Sequence, residues 1–416
     1  YNPFLHRLTL GDTYYQFSII KSILQNGGAP DRLTLASFPE GKSLSNAPLL
    51  LPYFIAYTYK LLQPLGTSLT GYMIVFPAFF GALAAVPLYF LSRELFDTKT
   101  AVLTSLIYVV LPASIERTFA GFVEKESLAA ITVFIWLYLF IRSTRELDLS
   151  KRKTLILPVL SGLFMALSLY TWRGVSYFIL LLAITVLIQA VTKPDEKLSQ
   201  TTAIMAFTGF TIIHFISPKT FSIENIFFSF RYAPLTYVSI LALAQPLSKR
   251  LESTVNKKIR PLHLIGLFLG VFVLLIFALN LQKEAIGLVK SLSNQLTTGG
   301  SETAVEAQRA TEQGYTFSRN PFSFMIPFVL IGAYYYFKEG KKNLNFNWLF
   351  VAAWLITSAF AAYLQARLFF ILAPAASMMV AYGFFNLLKS ASSKSGAEGR
   401  EKSMAMANIL VVLLLL

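Results

Sequence analysis

No cysteine occurs in the 416 residues, which excludes a disulfide framework and any thiolate metal centre. Histidine occurs three times, at His6, His214 and His263, too few for a histidine-rich transition-metal site. A bound metal would therefore be held mainly by oxygen. Acids are scarce as well: 21 Asp and Glu stand against 36 Lys and Arg. None of the 21 falls within the apolar spans assigned below, which argues against proton- or ion-coupled transport, because such transporters carry carboxylates inside the bilayer. The ionisable residues well inside apolar runs are chiefly Arg231 and His214. No internal repeat stands out, and the Ser/Lys-rich stretch 389–402 reads as a solvated linker.

Apolar residues are abundant instead. The chain is 55% hydrophobic and 15% aromatic, with mean hydropathy +0.59, far above a soluble globular protein. It reads as an all-α polytopic membrane protein of about 12–13 helices. Apolar windows, free of acidic and basic charge apart from Arg231, lie at 68–92, 100–115, 127–141, 154–172, 174–192, 198–218, 225–248, 262–282, 320–337, 343–366, 368–388 and from 403 onward. The chain starts at Tyr1 and stops inside an apolar run of 13 residues from Met404, short of the ~20 that a span needs. The expectation is a piece of a longer protein.

Basic residues set the orientation. The alternate loops 93–99, 142–153, 193–197, 249–261, 338–342 and 389–402 hold 21 of the 36 Lys and Arg against 10 of the 21 acids, a net +11, whereas the remainder holds 15 against 11, a net +4. Those loops are expected on the cytoplasmic side. This bias and contact with anionic headgroups account for most of the overall +15, so no nucleic-acid partner is implied. Four segments follow: a first external region, 1–67, whose stretch 46–62 suits a helix lying in the interface; transmembrane helices over 68–282; a mobile external loop, 283–319; and late helices over 320–416.

Chemistry is then expected at the outer face, where Asp12, Glu124, Glu126 and Glu306 lie in separate loops. In an extended loop Glu124 and Glu126 would point to one side, ~6–7 Å apart, and could flank one hard cation. The alternative is that "VEKES" places its acids at the N-terminus of the helix starting near Ser127, where they favour the helix dipole. Arg117 and Arg367 sit at outer helix ends. Carboxylates from three loops beside guanidiniums at the same depth would make an oxygen-rich cation site next to an anion site, a combination suited to a diphosphate.

These residues resemble the catalytic subunit of N-oligosaccharyltransferase, most closely its archaeal single-subunit form. "GDTYYQFSIIKSILQNG" is similar to the family's first external-loop motif, with Asp12 as its acid. "RTFAGFVEKES" resembles R-T-x-x-G-x-x-D-x-D/E, with Arg117, Gly121, Glu124 and Glu126 in register and Glu124 replacing the usual Asp. "TAVE" resembles the T-I-x-E motif of the fifth external loop, with Glu306 its acid, and "ARLFFILAP" resembles the arginine-led late helix, with Arg367 where the family binds the lipid diphosphate. "LYTWRG" looks like a W-x-G turn, to which no chemistry is assigned. The external C-terminal domain with its W-W-D motif does not occur in the sequence.

The resemblance implies a GT-C type glycosyltransferase transmembrane domain and en bloc transfer of a glycan from dolichol phosphate or diphosphate to Asn in N-x-S/T. It implies Mn2+ or Mg2+ held by Asp12, Glu124, Glu126 and Glu306. Asp12 and Glu306 would also engage the acceptor amide, Arg117 would brace the carboxylates and Arg367 would bind the lipid diphosphate. The partners implied are a lipid-linked oligosaccharide, a sequon-bearing protein and membrane lipids, with the protein a monomer and its site on the extracytoplasmic face. Alternatives left open are another GT-C enzyme using a polyprenyl-monophosphate sugar, and a transporter of lipid-linked glycans.

Overall fold

The structure is a computed structural model and describes residues 8, 11–34, 36, 39–229, 231–240, 325–340 and 345–393. The described residues divide into two compact units, the chain passing from the first to the second after Ala84 and back before Thr118.

The first unit opens with α1 (Gly11–Asn26), a two-residue antiparallel ribbon of β1 (Arg32–Leu33) and β2 (Lys42–Ser43), and α2 (Leu50–Leu62). Helix α2 buries Leu51, Ile55 and Ala56, while Tyr57 and Leu61 stay exposed. One apolar face thus packs inward and another is left exposed. Helix α3 (Leu69–Leu83) begins at Ser68, whose Oγ accepts the Gly71 N–H at 3.1 Å. After the other unit's α4 (Ala85–Leu95), α5 (Thr98–Val110) and α6 (Pro112–Ile115) come the long helices α7 (Glu126–Glu146) and α8 (Ile156–Thr171), and α9 (Ser176–Thr192), α10 (Glu196–Ile216) and α11 (Ile223–Phe228) complete the unit's labelled helices. Trp136 on α7 is fully buried, its Nε1–H directed at the Met205 sulfur at 3.0 Å, and Ser161 of α8 donates to the Trp136 carbonyl at 3.2 Å. Such side-chain bonds tie helices together where the surroundings offer no water.

The second unit contains α4 (Ala85–Leu95), α5 (Thr98–Val110), α6 (Pro112–Ile115), α12 (Ile326–Gly340), α13 (Phe346–Leu364) and α14 (Phe369–Ser393). Asp97 caps α5, accepting the Lys99 and Thr100 N–H groups at 2.9 and 3.0 Å. Helices α12 and α14 approach so closely at Gly332 that an added Cβ would lie 1.9 Å from the Met379 carbonyl oxygen.

Six helices among the described residues are long and apolar enough to cross a membrane: Leu69–Leu95, Glu126–Glu146, Arg152–Thr171, Arg173–Thr192, Phe346–Leu364 and Ala366–Ser390. The protein is a multi-pass membrane protein. The windows expected at 262–282 and from 403 lie outside the described residues. The window 225–248 is corrected: α11 ends at Phe228, Ser229 turns extended, and a new helix starts at residue 233. Arg231, expected within that span, sits exposed on the turn, where its charge meets no apolar core.

Candidate active site

Asp12 is the second residue of α1, exposed in its first turn, where a carboxylate favours the helix dipole. The next residue, Thr13, is fully buried, and its Oγ1 accepts the Val123 N–H at 3.1 Å. One residue beyond Val123 stands Glu124. A single buried hydrogen bond therefore brings together the backbones carrying two of the expected acids.

The segment 118–125 is shaped by its own contacts. Gly121 has φ +84°, open to glycine at no steric cost, and donates its N–H to the Ile74 carbonyl of α3 at 2.8 Å. Phe119 and Phe122 stack with centroids 4.9 Å apart, and the Glu124 N–H reaches the Phe122 carbonyl at 3.0 Å. Gly81 of α3 leaves room for Thr118, whose Cβ would lie 2.4 Å from a Cβ added there.

The acidic pair is not extended. Lys125 already adopts right-handed helical dihedrals, φ −67° and ψ −25°, and its carbonyl accepts the Ala129 N–H at 2.9 Å. Glu126 is the first residue of α7, with its Oε2 withdrawn from solvent, and Ser127 Oγ donates to the Glu124 carbonyl at 3.0 Å. The helix-start reading of "VEKES" is the observed one. The expectation of two carboxylates projecting to one side of an extended loop is corrected, because the helix begins inside the pair.

Arg117 lies just after α6, its N–H directed at the Ser114 carbonyl at 3.4 Å. Beside it, crowding pushes the Glu116 carboxyl above the ordinary glutamate range, and the Arg117 guanidinium offsets part of that rise. Arg367 is exposed in the short turn Ala366–Leu368 between α13 and α14, its Nε–H donating to Gln365 Oε1 at 3.2 Å. Glu306 lies outside the described residues. The donor chemistry of Asp12, Glu124 and Glu126 suits a hard dication, being oxygen alone. Among the described residues, however, no three His, Cys, Asp or Glu converge closely enough to hold one.

Sequence reasoning missed Thr13, Tyr15 and Arg173. Partial burial and the Asp12 charge push the Tyr15 phenol up, and Arg173 pulls it back. Arg173 stands in the turn after Trp172 and donates from Nη2 to the Asn46 carbonyl. The sequence signal was "TWRG", noted as a turn without chemistry.

Residues 4–416 match the family described as "Oligosaccharyl transferase STT3, N-terminal". The chain belongs to that family. Among curated proteins it is 28% identical over 192 residues to dolichyl-phosphooligosaccharide-protein glycotransferase 1 of Pyrococcus furiosus, covering 44% of this chain and 19% of the relative. It is 23% identical over 242 residues to glycotransferase 2 of the same description from Archaeoglobus fulgidus, covering 58% of this chain and 36% of the relative. The alignments thus span only part of these relatives' length.

Among solved structures, the fold matches the archaeal oligosaccharyltransferase AglB from Archaeoglobus fulgidus in complex with an inhibitory peptide and a dolichol-phosphate. The TM-score is 0.77 at 16% identity, over 96% of this chain and 50% of that one. An Archaeoglobus fulgidus oligosaccharyltransferase in complex with Zn and sulfate matches with TM-score 0.70 at 16% identity, over 98% and 48%. At these identities the likeness is one of fold.

Proposed function

We propose that this chain is the membrane part of an oligosaccharyltransferase that moves a glycan en bloc from a dolichyl phosphate or diphosphate to the Asn side chain of an N-x-S/T sequence, on the extracytoplasmic face. Family membership over residues 4–416 is the observation that carries the reading, and the buried bond between Thr13 and Val123 supports it by pairing the Asp12 and Glu124 segments. An amide nitrogen is a poor nucleophile, so the acceptor must be oriented and the leaving phosphate stabilised. Asp12 and Glu306 accept hydrogen bonds from the Asn amide, drawing its lone pair out of conjugation. Arg367, exposed on its turn, holds the phosphate and stabilises the charge as it leaves. Arg117 braces the carboxylates. Asp12, Glu124, Glu126 and Glu306 would hold Mn2+ or Mg2+, which when bound supplies Lewis-acid neutralisation of phosphate charge.

The test uses the full-length natural protein in detergent with a native lipid-linked glycan extract and a fluorescent N-x-T peptide, with Mn2+ and again with EDTA. A mobility shift that requires metal and vanishes when the peptide Asn becomes Gln is expected. Asp12→Asn and Glu126→Gln should abolish it while membrane insertion stays normal; turnover at the wild-type rate by either variant would remove the carboxylate assignment.

A further inference from the structure

Close to Asp12, the first unit carries cations that its carboxylates do not neutralise. Lys42 Nζ lies 4.6 Å from the centroid of the Tyr15 ring. Arg173 is anchored to the Asn46 carbonyl, while Asn46 Oδ1 accepts from Thr220 Oγ1 at 3.4 Å. Three loops therefore meet at Asn46: the one after β2, the turn after α8 and the one after α10. On the turn between α11 and the helix at 233–240, Arg231 donates its N–H to Ser229 Oγ at 3.2 Å and precedes Tyr232, whose ring packs 5.1 Å from Phe221. The Arg173 charge lowers both the Tyr15 and Tyr232 phenols against the rise that burial causes.

The resulting row has one partly accessible ring, Tyr15, among the cations Lys42, Arg173 and Arg231, while the Tyr232 ring is buried. All three cations are exposed, and among the described residues none of them forms an ion pair with a carboxylate. A cation serving only lipid headgroups needs length and freedom, so that it can snorkel. Arg173 has neither, because its guanidinium is fixed on a backbone carbonyl where three loops join. A bare diphosphate needs cations but no rings. The Tyr15 ring beside guanidinium and ammonium groups fits a ligand with apolar C–H faces and acidic substituents, which describes an acidic sugar.

We propose that this row is a glycan subsite that selects donors whose sugars carry a carboxylate or sulfate. The inference rests on the transferase reading for its lipid-linked donor, and Asp12, three residues before Tyr15 in α1, puts the row beside the expected reaction centre. Arg173 and Lys42 pair with the acidic substituent, Tyr15 offers its ring to the sugar face, and Asn46 acts as a positioning residue by holding Arg173.

Two synthetic polyprenyl diphosphates of equal lipid length test this. One carries a neutral N-acetylglucosamine disaccharide; in the other the distal sugar is glucuronic acid. Equilibrium binding of each radiolabelled donor to the full-length natural protein in detergent is measured together with transfer to an N-x-T peptide. Wild type should bind the acidic donor about tenfold tighter, as expected for one charge-assisted pair. Arg173→Gln and Lys42→Gln should each erase that preference and leave the neutral donor unaffected, and Arg173→Lys should restore part of it. If Arg173→Gln fails to fold, Lys42→Gln and Arg231→Gln carry the same comparison. Equal weakening toward both donors would assign the cations to the diphosphate and overturn the proposal. Unchanged binding, or an effect that appears only in nanodiscs of anionic lipid, would assign them to solvent or headgroups and overturn it too. A preference for the acidic donor without any transfer would keep the subsite and remove the transferase reading; transfer without a preference would do the reverse.

Discussion

Thr13 and Val123, 110 positions apart in sequence, are joined by one buried hydrogen bond, the Val123 N–H donating to Thr13 Oγ1 at 3.1 Å. Both residues are fully shielded from solvent, so water cannot replace either partner. Thr13→Val keeps the shape and leaves the Val123 N–H buried without an acceptor, a loss of about 1–3 kcal/mol. Thermal unfolding in detergent should show that loss, and Thr13→Ser should recover most of it. Glycosylation should fall further in the valine variant than stability alone explains, because the bond also aligns the segments bearing Asp12 and Glu124.

Gly121 makes a second demand on the same loop. Its φ of +84° is costly for a residue with a Cβ, and its N–H is committed to Ile74. Gly121→Ala should cost about 1–2 kcal/mol, read as a lower unfolding midpoint, and Gly121→Asn should cost less, because Asn tolerates positive φ.

Most helix positions were legible because they rest on a local rule: an apolar window shows as a span. Asp12, read as a loop acid, instead sits in the first turn of α1. Which alternative Glu124 and Glu126 would take was not legible, since it turns on the dihedrals of Lys125 and the bond from Ala129 that starts the helix there. The window 225–248 misled for a related reason. Its composition is apolar almost throughout, but Ser229 goes extended at φ −80° and ψ 132° and breaks the helix. Thr13 gave no signal because its partner is distant in sequence, and Arg173 gave only a turn, because its anchor at Asn46 belongs to another loop.

The Tyr15 phenol reports the balance between Asp12 and Arg173. Burial raises it first, the Asp12 carboxylate raises it further by disfavouring the phenolate, and the Arg173 guanidinium lowers it. Asp12→Asn should therefore shift the Tyr15 titration to lower pH and Arg173→Gln to higher pH. Tyrosine labelled with 13C at Cζ, with Tyr15→Phe to assign the resonance, gives both shifts by NMR. Shifts of the same sign in the two variants would mean that the charges do not act on Tyr15 directly.

In the second unit, the crossing of α12 and α14 rests on Gly332 and Gly383. A Cβ on Gly332 would lie 1.9 Å from the Met379 carbonyl oxygen and 2.6 Å from its carbon, and one on Gly383 would meet the Gly332 backbone at 2.8 Å. These are backbone atoms, so no rotamer change relieves the clash, and the helices must separate. Separation strips van der Waals contact from both helix faces, and lipid chains, as apolar as the side chains they would replace, offer no hydrophobic drive to restore it. Gly332→Leu should accordingly destabilise the protein by about 1–3 kcal/mol or more and lower its unfolding midpoint in detergent. Gly383→Ala should be milder, since its contact at 2.8 Å needs a smaller shift. If Gly332→Leu unfolded at the wild-type temperature, the two helices would have to be farther apart than this crossing places them.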